Sequence, residues 1–379
     1  MKRMLVSLAL SIVIPVSIWA QKVQPDQSLN SKPAEAEIGK ELGAHLDKLA
    51  AEDKFSGVVL VAKDGKPIFV RAYGTADKRG NFGNRVETKF NLGSMTKMFT
   101  AVAIAQLAER GKLSFSDPIG KHLPDYLNKA VAGKVTIHHL LTHTSGMGDY
   151  HNEKFYARLD QMRTVSDLVP LFVNEPLTFE PGEKWDYSNA AFTVLGLIIE
   201  KVSGQSYFDY VKQHVFKRAG MADTDFYERD KRVPNRAVGY MRVNAKGEPD
   251  PEAPRRANTS ARPAKGSPAG GAYSTVNDML KFRLALGNNK LLNRESTDMV
   301  TTGKVKVPPG WPMSEYAYGF TISVVNGRRV VGHGGTGPGV AGRLDMYPEL
   351  GYTVVILSNY ELPAIMPVIT KTRGLILNQ

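Results

Sequence analysis

Ser94 and Lys97 stand three residues apart in the run Phe90-Asn91-Leu92-Gly93-Ser94-Met95-Thr96-Lys97. At that spacing on a helix the two side chains share one face. Burial disfavours a charged amine, and a neutral lysine beside a serine hydroxyl can take its proton. Ser94 is thereby a candidate nucleophile, and of all the serines in the chain it alone has a lysine three positions on. The plainer alternative has Ser94 capping a helix while Lys97 runs its stem out to water. The chain contains no cysteine, which excludes disulfides, thiolate metal sites and a thiol nucleophile.

Three further segments carry groups suited to the same chemistry. Tyr187-Ser188-Asn189 stands between a turn-forming stretch, Phe179 to Asp186, and an apolar run from Ala190 to Val202. His333-Gly334-Gly335-Thr336 follows the Asn326-Gly327 turn signal, and Leu140-Leu141-Thr142-His143-Thr144-Ser145-Gly146-Met147 lies between Ser94 and Tyr187. In this order the segments resemble the serine β-lactamase and penicillin-binding superfamily, nearest its branch of class C β-lactamases, D,D-peptidases and β-lactamase-like esterases. The likeness runs from about residue 36 to the end of the chain.

The resemblance implies acyl transfer through a covalent intermediate on Ser94, with Lys97 and Tyr187 sharing the proton work. Both titrate near ~10 when unperturbed, so which of them is the base stays open. Asn189 would bind the substrate amide or the Lys97 amine, and the backbone N–H groups of Ser94 and Thr336 would form the oxyanion hole. His333 stands where many relatives carry the lysine of Lys-Thr-Gly, which puts esterase or peptidase action level with β-lactamase action. Gly334 and Gly335 would let a substrate lie along a strand edge. Arg343, on the next strand, offers an anion contact, although a surface position is the commoner one for arginine. Tyr-x-Asn recurs at Tyr126 and Tyr150; the turn before Tyr187 and the apolar helix after it, as in the family, favour Tyr187 and leave the other two to loops.

The expected function is an exported serine hydrolase that cleaves an ester, an amide or a D-amino-acid peptide. A penicillin-binding D,D-carboxypeptidase or a β-lactamase is the alternative, and a penicillin-binding sensor that is acylated without turnover is the rival from another class. No cofactor or metal is expected. The expected partner is a small-molecule or peptide substrate, cell-wall peptide included, and not nucleic acid.

Elements must position these residues. The expected fold is α+β in three layers (α/β/α): an antiparallel sheet built from both chain ends, with helices on both faces and a mostly helical insertion. Val58 to Val61 and Ile68 to Val70 flank Asp64-Gly65, Phe320 to Val325 and Val330-Val331 flank Asn326-Gly327, and Leu344 to Tyr347 and Thr353 to Leu357 flank Pro348 to Gly351. The first two turn dipeptides suit tight hairpins. Helices are expected over Glu35 to Glu52 and Pro363 to Leu377, both covering one face of the sheet. The sheet subdomain would take about 36–110 and 271–379, and the helical subdomain about 111–270.

Lys2 and Arg3, the apolar run Met4 to Trp19 and a small residue at Ala20 read as a secretory signal peptide, residues 1–20, cleaved near Ala20. A polar tether, residues 21–35, would follow. The expected location is therefore secreted or periplasmic, with no stable membrane insertion after cleavage. The net charge is +12, spread along the chain apart from Arg255, Arg256, Arg262 and Lys265. That cluster sits among Pro, Ala, Gly and Ser, so a solvated loop is expected there, with an anion-binding site as the alternative. Gly337 to Gly342 matches a dinucleotide-binding pattern but leads into a strand, not a helix. His139 and His143 have zinc-ligand spacing without the usual glutamate, so a structural role is expected.

Overall fold

The computed structural model describes residues 33–377 apart from 245, 247 and 249. The expected leader, and the tether up to residue 32, lie outside the described residues. Helix α1 begins at Pro33 and runs to Ala51, so the last three tether residues are instead its first turn. Proline suits that turn because its missing N–H would be unpaired there anyway, and Glu35 complements the helix dipole. Among the described residues, no helix is long and apolar enough to cross a membrane.

Strands β1 (Gly57–Lys63) and β2 (Lys66–Tyr73) form the first hairpin. Asp64 and Gly65 have φ of 49° and 79°, the paired left-handed turn that matches strand twist. Of the helices that follow, three bear on the site: α2 (Lys97–Glu109), α3 (Ile137–Thr142) and α4 (Asn189–Ser203). Helix α5 (Val276–Gly287) leads back to the sheet. The short strands β3 (Val305–Lys306) and β4 (Glu315–Tyr316) come next. Then come β5 (Thr321–Val325), β6 (Arg328–Gly337), β7 (Val340–Tyr347), β8 (Tyr352–Ser358) and a last helix, α6 (Met366–Leu377). The eight strands run β2-β1-β8-β7-β6-β5-β4-β3. β1 joins the two chain ends by pairing antiparallel with β8, from Gly57 opposite Ser358 to Lys63 opposite Tyr352.

Each face of the sheet has its own apolar layer. Val59, Val61, Val354 and Ile356 pack with Ile38, Leu42 and Leu46 of α1 and Val368 and Ile376 of α6. Val58, Leu60, Val355 and Leu357 face the other way, toward Met98, Phe99 and Val102 of α2 and Phe282 of α5. Strands covered on both faces read as continuous apolar runs, which is why β1 and β8 show no alternation. Helix α2 is buried nearly all round, so its position is fixed from every side. β6 crosses directly over the turn that precedes α2.

The insertion is built mainly of short helices with α4 as its long member. Ser188 caps α4 by accepting the Ala191 N–H, and Gly204 ends it at φ 70°. The basic cluster does not form one solvated loop. Arg255 lies in the short strand Arg255–Ala257, paired with Tyr240–Arg242, and its guanidinium is 3.0 Å from the Asp53 carboxylate and 3.4 Å from the centre of the Tyr360 ring.

Candidate active site

The turn Gly93–Thr96 is a 3-10 segment that runs straight into α2. Asn91 Oδ1 accepts the Gly93 N–H at 2.9 Å, and Gly93 adopts φ +49°. Thr96 Oγ1 donates to the Gly93 carbonyl at 2.8 Å and accepts the Ala272 N–H at 3.2 Å. Ser94 makes no capping bond, and Lys97 is fully buried. The capping and snorkelling alternative therefore does not hold.

Lys97 Nζ lies 3.3 Å from Ser94 Oγ, 2.7 Å from Asn189 Oδ1 and 2.6 Å from the Ala269 carbonyl. Burial brings its pKa down to about 7, against a smaller upward pull from Asp149. A neutral amine has two N–H groups and one lone pair. Asn189 and Ala269 accept the two N–H groups, which leaves the lone pair facing the Ser94 hydroxyl. The ammonium form would have to spend its third proton on that hydroxyl and could not receive one.

Asn189 is held in turn. Its amide donates to Asp149 Oδ2 at 2.7 Å, and Asp149 Oδ1 lies 2.9 Å from His151 Nδ1. Burial pushes the Asp149 carboxyl up, but His151, Asn189 and the Tyr150 N–H together hold it below its ordinary value. With its N–H side bound by a carboxylate, Asn189 must present its oxygen to Lys97.

Tyr187 presents its ring to Lys97 at 4.7 Å. Burial raises its pKa, partly offset by the Ser94 hydroxyl, so the phenol keeps its proton at neutral pH. His143 stacks on Tyr187 with ring centres 4.2 Å apart and accepts the Ser188 N–H on Nδ1 at 3.1 Å. It ends α3 in a left-handed conformation, while His139 forms the capping box at the start of that helix. These two histidines thus hold the tyrosine segment and the α3 cap. Of the other two Tyr-x-Asn tyrosines, both expected in loops, Tyr126 and Tyr150 are buried side chains, and Tyr150 lines the same cavity as Ser94.

On the opposite wall, His333 Nε2 is 2.9 Å from the Tyr316 hydroxyl. Burial, then the Lys97 charge, depress its pKa to about 3, so this imidazole stays neutral across the physiological range. Gly335 lies against the nucleophile turn: a methyl there would collide with the Leu92 carbonyl and stand 3.2 Å from Ser94 N. A methyl on Gly93 would stand 2.9 Å from Thr336 N. The two expected oxyanion donors, Ser94 N–H and Thr336 N–H, are thus brought side by side. A cavity of about 620 Å³ opens over Ser94, with Tyr187, Asn189, His333, Trp311 and Arg343 in its walls.

The Beta-lactamase family model matches residues 42–374. The chain belongs to the Beta-lactamase family. It is 31% identical over 332 residues to penicillin-binding protein 4* of Bacillus subtilis, covering 85% of this chain and 72% of that one. It is 30% identical over 370 residues to esterase EstB of Burkholderia gladioli, covering 86% and 91%. The crystal structure of a penicillin-binding protein from Bacillus halodurans superposes with a TM-score of 0.76 at 33% identity, over 91% of this chain and all of that one. This Beta-lactamase-family chain is thus built as a three-layer hydrolase fold of the kind the motifs implied. Sequence reasoning missed Asp149, Tyr316 and the Ala269 carbonyl. Asp149 lies just past the Leu140 to Met147 segment, but an aspartate in a loop carries no signal of its own.

Proposed function

We propose that this protein is a serine hydrolase that forms an acyl-enzyme on Ser94 and releases it to water. The observation that carries this reading is the buried Lys97 amine, 3.3 Å from Ser94 Oγ with Asn189 Oδ1 and the Ala269 carbonyl as its two other partners. Lys97 takes the Ser94 proton as the hydroxyl attacks the carbonyl. The oxyanion forms between the N–H groups of Ser94 and Thr336. Tyr187 passes its proton to the leaving group and is reprotonated by the Lys97 ammonium, so the Ser94 proton leaves with the product. Neutral His333 and Tyr316 line the leaving-group side as hydrogen-bonding groups without charge.

The substrate is an ester, an amide or a D-amino-acid peptide. The B. subtilis relative is named a penicillin-binding protein and the B. gladioli relative an esterase, which supports both halves of that range. We also propose export to the envelope on the leader-like first twenty residues, where cell-wall peptide would be within reach. The test is a turnover panel of short-chain nitrophenyl esters, nitrocefin and a D-alanyl-D-alanine peptide with wild type and Ser94→Ala. Steady turnover of at least one substrate, lost in Ser94→Ala, is expected. A stoichiometric burst followed by silence would instead mark a sensor that is acylated and stays so.

A further inference from the structure

Arg229, Arg262, Lys265 and Arg343 all line the cavity over Ser94. Two of them are committed. Arg343 is 7% exposed, not the surface arginine its residue type suggests, and its Nε donates to Asp345 Oδ1 at 2.6 Å. Arg229 is paired with Asp160 and donates from Nη1 to the Arg262 carbonyl at 2.5 Å. Arg262 is not committed. Among the described residues its guanidinium has no hydrogen bond and no ion pair, and Nε is buried without a partner. Its one neighbour of note is the Tyr273 ring, 5.8 Å away at the centre. Lys265 has no ion pair there either, and its Nζ lies 4.0 Å from the centre of the Phe208 ring. Glu228, beside Arg229 in the chain, is taken by Arg163 at 2.5 Å. A partly buried guanidinium left unpaired suits a partner that arrives with the substrate.

The position shows which end of the substrate brings that partner. Tyr187, which serves the leaving group, stands with Trp311 and His333 at ring-centre distances of 6.0 and 6.5 Å. Those rings mark the leaving-group side. Arg262 belongs to the segment that borders the nucleophile turn elsewhere: Gly271 N–H donates to the Gly93 carbonyl at 3.2 Å, and Tyr273 pairs with Asn91, three residues before Ser94. Between Ser94 and Arg262 the cavity wall carries Phe155, Met162, Leu168 and Tyr227. An apolar stem would be buried against these side chains, and its far end would meet the guanidinium.

We propose that this wall is the acyl-side specificity site and that Arg262, with Lys265 adding charge, receives a carboxylate at the far end of the acyl group. The preferred substrates are then acyl compounds with an apolar stem and a distal anion on the acyl half. The proposal rests on the Ser94 hydrolase reading and names its substrate class. A planar guanidinium with its whole fork free is matched to a carboxylate.

Mono-nitrophenyl esters of hexanedioic, octanedioic and decanedioic acid test it, each against the same ester with its far carboxyl capped as a primary amide. The leaving group is constant throughout. In wild type the carboxylate-to-amide ratio of kcat/KM should rise with chain length and reach about 5- to 50-fold once the stem spans to Arg262. Arg262→Gln should bring the ratio close to one. Arg256→Gln removes the same charge from an exposed neighbour outside the cavity and should leave the ratio as it is. A wild-type ratio near one at every length, or a ratio unchanged in Arg262→Gln, overturns the proposal. An equal fall in Arg256→Gln also overturns it, by assigning the preference to the general field of a chain of charge +12. Calorimetric binding of the same esters to Ser94→Ala reads the site without turnover. Tighter binding of the carboxylate there, lost in Ser94→Ala with Arg262→Gln, supports the receptor even if wild type cleaves neither ester, which would count against the Ser94 reading alone; equal binding overturns it. Should Arg262→Gln not fold, Arg262→Lys, which keeps the charge and loses the fork, must lower the ratio for the proposal to stand.

Discussion

Lys97 sets the pH behaviour of the proposed reaction. Its amine must be neutral to accept the Ser94 proton, and burial brings its pKa down to about 7 from an unfolded value near ~10.4. The rate of acylation should therefore rise with pH through an acid limb centred near 7. Neither His333, depressed to about 3, nor Tyr187, raised by burial, titrates in that window. The sign for stability follows from the same shift: between about 7 and ~10.4 the unfolded lysine holds a proton that the folded one has lost, so stability rises with pH there. Lys97→Ala should slow acylation by about 100- to 10,000-fold and remove the limb. Stopped-flow acylation by a nitrophenyl ester from pH 5 to 9 measures both, and an unchanged limb in Lys97→Ala would assign it to another group.

The nucleophile turn and β6 touch backbone to backbone, so the geometry of the oxyanion donors depends on two missing side chains. In Gly335→Ala the new methyl meets the Leu92 carbonyl and approaches Ser94 N, and neither is a flexible group that can swing away. β6 must shift from the turn, and loss of one oxyanion donor typically costs about 100- to 1,000-fold in rate. The expected result is a fall in kcat of that order; Gly337→Ala, whose methyl would meet only Val340 at 3.9 Å, should stay close to wild type. Equal kcat in the two variants would argue against the strand as one side of the oxyanion hole. This dependence was half legible in the sequence. The two hairpin turns at Asp64-Gly65 and Asn326-Gly327, the apolar runs between them and the spacing of Ser94 and Lys97 carry residue-type signals, and they forecast the sheet and the nucleophile turn. The acceptor that fixes Lys97 does not, because the Ala269 carbonyl is a backbone atom 172 residues away, and any residue could supply it. Arg343 is misleading by type: its burial follows from Gly334 opposite it and Asp345 beside it, which only the strand register brings together.

The chain closes on itself through a set of charges far from the reaction. Asp53, just after α1, has φ 51°. Its Oδ1 accepts the Tyr360 hydroxyl at 2.5 Å, and its Oδ2 accepts Arg242 and Arg255, each at 3.0 Å. Arg255 also lies 3.5 Å from Glu361. One carboxylate thus ties the first helix, the inserted hairpin around Arg242 and Arg255 and the segment after β8, residues separated by up to 307 positions. The Asp53 side chain is 48% exposed, which lets water screen its share, but that of Arg255 is only 7% exposed, so a loss of its partner leaves a charge that water reaches poorly. Asn tolerates the left-handed backbone at this position as Asp does, so Asp53→Asn removes the charge without adding strain. It should destabilise the protein by about 1–3 kcal/mol, read as a lower denaturant midpoint at unchanged slope. Arg256→Ala, at the exposed neighbour, should stay within about 0.5 kcal/mol of wild type. The double variant Asp53→Asn with Arg255→Gln should recover part of the loss, because both charges leave together; strict additivity would show that the pair does not couple the chain ends to the insertion.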